Sequence, residues 1–230
     1  MRVCAIIPAR IGSKSLPKKN IRLIARKPLL RWTVEATLQS KRLDDIVLST
    51  DSEEIARVCP EIFWLKRPSE FAKDESPMID VVMHAVRELK KNADAYILLQ
   101  PTAPLRMAKH IDEAVKLLEK RPDATSVVSV CKVPIKYNPE WLFTEQNGYL
   151  KVCNNKSLKD RIRRRQDFPP AYQTNGAIYL FRAECLKESP PNLYGDKPIP
   201  YIMEDFFGVS IDTPEDFLEC ERRLNSLEKK

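Results

Sequence analysis

The residues best suited to chemistry lie near the amino terminus. Pro8-Ala9-Arg10-Ile11-Gly12-Ser13-Lys14-Ser15-Leu16-Pro17-Lys18-Lys19-Asn20 follows directly on an apolar run. It places Arg10, Lys14, Lys18 and Lys19, four basic side chains, within ten positions, and it holds one of the five glycines in the chain. A Gly-Ser turn exposes backbone N–H groups, and Arg and Lys add positive charge, a combination that suits a triphosphate. The spacing is neither GxxxxGK[ST] nor GxGxxG. A solvated basic loop has the same composition.

Two further groups carry possible chemistry. Lys159, Arg161, Arg163, Arg164 and Arg165 make a dense basic run ahead of Asn175-Gly176-Ala177. Such a run is ordinarily a solvated face; a nucleic-acid patch is the other obvious reading, but no RNP, KH, zinc-finger or helix-turn-helix pattern lies beside it. In Asp212-Thr213-Pro214-Glu215-Asp216, Thr213 as N-cap, Pro214 at the first helical position and Asp216 at the third form a capping arrangement. Asp212 falls outside that explanation and is the metal-ligand candidate. Asp51 and Glu54 are accounted for as a helix start, and His84 and His110 sit in helical patterns with no ligand partner nearby. No Ser-His-Asp or Cys-His pattern suggests a nucleophile.

These residues need a scaffold, and the hydrophobic pattern predicts one. Arg2–Ala9, Ile46–Ser49, Ile62–Leu65, Ala95–Gln100, Ala124–Val133, Asn175–Phe181 and Phe207–Asp212 read as strands. Pro28–Ser40, Ser52–Val58, Pro77–Lys91 (with Ser76 as cap), Ala108–Lys120 and Thr213–Leu224 read as helices. Apolar strands alternating with amphipathic helices predict an α/β fold, a mostly parallel sheet covered on both faces. Ligands of such sheets bind at the carboxyl ends of the strands, where the 8–20 loop, Gln100 and Asp212 fall. The rhythm breaks over 134–172, which holds aromatics, an Asn147-Gly148 turn and the basic run; it reads as an insertion in a single domain spanning 1–230.

Composition narrows the class. In 230 residues, 43% are hydrophobic and 31% charged, with a net charge of +7. That is a globular chain favouring anionic partners. Six scattered cysteines without CxxC, no membrane-length apolar run and no room for a signal peptide point to a reduced, cytoplasmic protein without a membrane partner.

The 8–20 loop resembles the A-R-x-G-S-K-x-x-P-x-K-N loop of the acylneuraminate cytidylyltransferases. The resemblance continues through Ser49-Thr50-Asp51, Arg67-Pro68, Gln100-Pro101-Thr102-Ala103-Pro104-Leu105-Arg106, Asn175-Gly176-Ala177-Ile178-Tyr179 and Ile211-Asp212-Thr213-Pro214. These blocks stand in the family's order across nearly the whole chain. The resemblance implies a Rossmann-like fold with a dimerisation subdomain, here 134–172. It implies that Arg10, Ser13 and Lys18 meet the phosphates of CTP, with Lys18 neutralising charge on the α-phosphate and leaving pyrophosphate, and that Gly12, Asn20 and Arg67 complete the nucleotide site. Gln100, Asn175 and Tyr179 would meet the sugar acid. Arg165 would reach the partner subunit's site and pair with the substrate carboxylate.

The activity so implied joins CTP to a nonulosonic sugar acid, giving a CMP-sugar and pyrophosphate, in a homodimer that does not use nucleic acid. Lys18, Arg10 and Asp212 are the expected catalytic residues, with Mg²⁺ as cofactor held partly by Asp212. Many relatives end the last strand Asp-Ile-Asp, where this chain has Ser210-Ile211-Asp212. Another sugar nucleotidyltransferase, including a Kdo type, is the alternative, although the Kdo block Gln-Gly-Asp-Glu-Pro is replaced here by Gln-Pro-Thr-Ala-Pro. A non-catalytic homologue or a nucleic-acid-binding module are the others.

Overall fold

In the computed structural model, residues 1–227 are described except 91, 155, 161 and 163. The elements in chain order are β1 (Val3–Pro8), β2 (Leu23–Ile24), β3 (Lys27–Pro28), α1 (Leu29–Leu38), β4 (Asp45–Thr50), α2 (Glu53–Ala56), β5 (Phe63–Lys66) and α3 (Met78–Leu89). They continue with β6 (Ala95–Leu98), α4 (Ala108–Glu119), β7 (Ser126–Lys132), β8 (Phe143–Gln146), β9 (Tyr149–Val152), β10 (Tyr172–Arg182), β11 (Pro198–Ile202) and α5 (Pro214–Leu227). Seven strands form the main sheet in the order β11-β7-β10-β6-β1-β4-β5. All run parallel except β10, which is antiparallel to both of its neighbours. The expected α/β architecture is therefore present.

The sheet's two faces are read from the side-chain alternation of its central strands. Val3, Ala5 and Ile7 of β1 join the larger core with residues of α1, α2, α4 and α5, while Cys4 and Ile6 join a second core under Val82 and Ala85 of α3. Four helices thus cover one face and one covers the other. β1 is buried along its whole length, as a central parallel strand with no polar face must be. From β1 the chain winds outward to β4 and β5, then returns through α3 to β6 on the other side of β1. The carboxyl ends of β1 and β6 therefore flank the switch point of this sheet, where a crevice opens.

Several expectations are corrected. Phe207–Asp212 is not a strand: a 3₁₀ turn over Asp205–Phe207 leads into irregular chain. The outer strand is instead β11, whose sequence Pro-Ile-Pro-Tyr-Ile disguises it. Proline cannot sit in a central strand, but β11 pairs only with β7, and an edge tolerates the missing donors. The helix expected over Pro77–Lys91 begins at Met78 with Pro77 as N-cap, and Lys91 lies outside the described residues. Ser76 does not cap it; its hydroxyl donates to the Glu70 carbonyl.

Between β7 and β10, the 134–172 stretch forms a separate two-stranded hairpin, β8–β9. Its turn falls at Asn147-Gly148, both at positive φ (53° and 80°) as a tight hairpin requires. Apolar side chains are exposed here in unusual density, among them Tyr137, Tyr149, Leu150 and Leu158.

Candidate active site

Two cavities open side by side at the carboxyl ends of the central strands. The first, about 360 Å³, is bounded by the 10–20 loop after β1, by Arg67 and Asp74 after β5, and by Gln100 to Thr102 after β6. The second, about 460 Å³, lies over β10 and the 208–216 segment and is lined by Gln173, Asn175, Tyr179 and Ser210 among others. Gln100 and Asp212 line both, so they mark the boundary where two ligands would meet.

The first cavity is cationic. Arg10, Lys14, Lys19 and Arg67 line it, against the carboxylates of Asp74 and Asp212. Gly12 and Ser13 are there too; a Cβ on Gly12 would meet nothing within 4 Å, so its smallness leaves open space. Asn20 holds the loop: its buried side-chain amide donates to the Arg10 carbonyl at 2.8 Å. Asp51 fixes the turn from below, accepting from Ile11 N–H at 3.0 Å. Arg67 is buried; its Nε donates to Ser49 Oγ at 3.1 Å and its Nη2 to the Ser49 carbonyl at 2.5 Å. Burial pulls its pKa down to about 10, opposed by attraction to Asp51. A guanidinium held at the end of β4 by neutral oxygens keeps its charge for a ligand.

The structure places the lysine expected to act on the phosphates, Lys18, outside this cavity and its neighbour Lys19 on the wall. Lys18 does not line the cavity. It takes a left-handed backbone (φ 53°), and its Nζ pairs with Glu54 at 2.9 Å on the exposed surface. Lys19 lines the cavity instead, its Nζ donating to the Ile211 carbonyl at 2.7 Å. Burial lowers the Lys19 pKa, partly opposed by Asp212, and Arg10 lowers it further. The signal was present in the chain: in the pattern counted from Ala9-Arg10, the lysine directly before the asparagine is Lys19.

Arg106 is fully buried and acts as a brace. Its Nη1 donates to the carbonyls of Ala177 (2.7 Å) and Gln100 (3.3 Å), and its Nη2 to Thr33 Oγ1 (2.7 Å). It thereby ties the strand end bearing Gln100 to β10 and α1. Burial pulls its pKa down to about 9.

In the second cavity, Asn175 is committed to the fold. Its Oδ1 accepts from Ser129 Oγ (2.5 Å) and Ala177 N–H (3.2 Å), clamping the irregular pairing of β10 with β7 between Thr174 and Tyr179. Gly176 follows at φ +71°, a conformation an L side chain resists. The Tyr179 ring meets Tyr194 edge-on at 6.1 Å, and burial raises its hydroxyl pKa. Ser210, the residue that stands where many relatives have an aspartate, lines this cavity too, as do Cys131, Thr174 and Gly208, which no sequence signal marked. Asp216 and Thr213 form the expected reciprocal cap: Asp216 Oδ2 accepts from Thr213 N–H (2.8 Å) and Oγ1 (2.9 Å), and Thr213 Oγ1 accepts from Asp216 N–H (3.2 Å). With Asp216 so engaged, Asp212 is the carboxylate available to both cavities.

Arg165 lines neither cavity. Its guanidinium lies over the Trp141 ring, 5.5 Å from the centroid. Arg161 and Arg163 of the same basic run lie outside the described residues. Among the described residues no group of three or more His, Cys, Asp or Glu is arranged to hold a metal ion, and no helix is long and apolar enough to cross a membrane.

Known proteins resemble the whole chain. It matches the cytidylyltransferase family over residues 4–228. It is 35% identical over 234 residues to CMP-N,N'-diacetyllegionaminic acid synthase of Legionella pneumophila, covering 97% of both chains. It is 34% identical to N-acylneuraminate cytidylyltransferase of Streptococcus agalactiae, matching 95% of this chain but 52% of that longer one. Among solved structures, CMP:2-keto-3-deoxy-manno-octonic acid synthetase complexed with CTP superimposes with a TM-score of 0.72 over 99% of this chain and 100% of the other. At 16% identity, that likeness speaks to fold.

Proposed function

The chain belongs to the cytidylyltransferase family, and from that premise we propose that it joins CTP to a nonulosonic sugar acid, releasing pyrophosphate and a CMP-sugar. The observation that carries this reading is the pair of cavities meeting at Gln100 and Asp212. One is lined by four cations and suits a triphosphate; the other is lined by amides, hydroxyls and carboxylates, and suits a polyol. A sugar hydroxyl entering from the second cavity reaches an α-phosphate held in the first. In-line attack needs no covalent enzyme intermediate, so the protein's work is positioning and charge stabilisation.

Lys19, Arg10 and Arg67 would hold the phosphates, Lys19 nearest the boundary. Asp212 is a hard anionic oxygen ligand at that boundary, and Mg²⁺ accepts one carboxylate alongside substrate phosphates and waters, so the donor set fits that cation. When bound there, it would neutralise charge on the phosphate oxygens.

Among the described residues no Lys or Arg lines the second cavity, while Asp212 and Asp216 both line it. A sugar carboxylate needs a cation there. We infer that it comes from Arg165 of a partner copy, with 134–172 as the dimer interface. The exposed apolar side chains of that stretch support this. The six free thiols agree with a cytoplasmic setting.

The test is pyrophosphate release and product mass with Mg²⁺, each of the four nucleoside triphosphates, and a panel of N-acetylneuraminic, diacetyllegionaminic, pseudaminic and Kdo acids. CTP with at least one nine-carbon acid is the expected pair. Equal use of all four nucleotides, or no turnover with any acid, overturns the reading. Mixed Lys19→Ala and Arg165→Ala subunits should recover activity after exchange if each site is shared between two chains.

A further inference from the structure

The phosphate cradle already contains an anion. Asp74 lies between the 3₁₀ turn Ser69–Phe71 and α3, and it lines the first cavity together with the 10–20 loop. Its two carboxylate oxygens are divided between two cations of that loop. Arg10 Nη2 pairs with Oδ1, and Lys14 Nζ lies 3.1 Å from Oδ2. Glu75, at 3.7 Å from Lys14 Nζ, adds only a more distant pairing. The hydrogen bond from Arg10, then that from Lys14, lowers the pKa of the Asp74 carboxyl and so favours its charged form.

A phosphate chain entering this cavity would seek the same two cations. Arg10 and Lys14 cannot give their charge fully to the ligand while Asp74 bridges them. We propose that Asp74 is a resident counter-anion of the phosphate cradle. It occupies Arg10 and Lys14 between turnovers, is displaced by the incoming triphosphate, and recaptures them as pyrophosphate leaves. It thus sets the affinity for phosphate chains, weakening it and hastening pyrophosphate release. The inference rests on the reading of the 10–20 loop as the triphosphate site.

The pair is partly exposed, with Arg10 at 30% and Asp74 at 27% side-chain exposure, so water and salt moderate it. Removing the Asp74 charge from both cations at once should change anion affinity by about tenfold at low salt. The difference should shrink as ionic strength rises.

Asp74→Asn is the perturbation, since it removes the charge at nearly constant shape. Binding of CTP, inorganic tripolyphosphate and cytidine is measured by calorimetry in EDTA, so that no divalent cation contributes. Asp74→Asn should bind CTP and tripolyphosphate about tenfold more tightly than the wild type and bind cytidine equally. Under turnover with Mg²⁺ it should be inhibited by pyrophosphate at correspondingly lower concentration. Glu75→Gln, which removes only the distant pairing, should change each value by less than about threefold. A melting curve of each variant confirms that the binding is that of folded protein. Unchanged or weaker binding of tripolyphosphate by Asp74→Asn overturns the proposal, because Asp74 would then be a silent surface partner or a support for Arg10. If neither protein binds CTP or tripolyphosphate, the reading of the loop itself fails, and this inference with it.

Discussion

Neighbouring lysines with opposite fates offer a direct test of the site. Lys19→Met removes the ammonium and keeps the apolar stem; Lys18→Met makes the same change one residue earlier. Lys19 Nζ is half-buried, 2.7 Å from the Ile211 carbonyl and attracted by Asp212, so it is already in place before any charge develops on the phosphates. Removing one preorganised, partly desolvated charge of this kind costs roughly 10²–10³ in kcat, about 3–4 kcal/mol of barrier. The lost bond to Ile211 should cost about 1 kcal/mol of stability. Lys18 pairs with Glu54 at side-chain exposures of 60% and 51%. Such a surface pair contributes less than about 1 kcal/mol, and turnover should stay within about twofold. The assay is the initial rate of pyrophosphate release at saturating substrates, with a melting curve for each variant. pH adds a second readout. Burial lowers the Lys19 pKa, so its proton is lost at lower pH than that of an ordinary lysine, and the rate should fall as pH rises through that value. Lys19→Arg, always charged, should remove that limb. A Lys18→Met enzyme reduced a hundredfold beside an active Lys19→Met enzyme would refute the assignment.

Further outcomes follow from the same geometry. His110 Nδ1 accepts from Met107 N–H at 3.1 Å, and burial pulls its pKa down from 6.5 to about 4. Between those values the unfolded chain binds a proton that the folded chain does not, so stability should fall as pH drops from 6.5 to about 4, by on the order of 3 kcal/mol. His110→Gln should flatten that part of a melting-temperature profile. Asp212→Asn should nearly abolish turnover and Ser210→Asp should lower the Mg²⁺ concentration for half-maximal rate; a wild-type Mg²⁺ titration by Asp212→Asn removes Asp212 as ligand. Arg106→Met removes the guanidinium that serves the Ala177 carbonyl and Thr33 Oγ1, while the Gln100 carbonyl keeps the Ala103 N–H, and it should lower the melting temperature, at a cost of about 1–3 kcal/mol for each buried oxygen left unsatisfied. Gly208→Ala drives a Cβ into Cys131 Sγ, so it should destabilise the fold and weaken sugar-acid binding more than CTP binding, measured as separate KM values.

Much of the scaffold was legible because its signals are local. The six apolar residues of β1, the stripe of α3 and the Thr213–Asp216 cap each follow from residues within one element. Order along the chain also placed the 8–20 loop, Gln100 and Asp212 at one edge of the sheet. What local pattern misread depended on neighbours. The prolines of β11 are permitted only because that strand ends the sheet, and Phe207–Asp212, apolar enough for a strand, finds none to pair with. Composition alone could not separate Lys18 from Lys19. The loop pattern, with a lysine directly before Asn20, set Lys19 apart, and the folded loop supplies the physical reason: a left-handed turn at Lys18 sends one ammonium to Glu54 and leaves the next residue facing Ile211. Asp74 is the clearest case. In the chain it is one acid in a charged stretch, 64 positions from Arg10; a carboxylate acquires its role when the sheet brings distant loops together, because charge acts over ångströms and not over sequence separation.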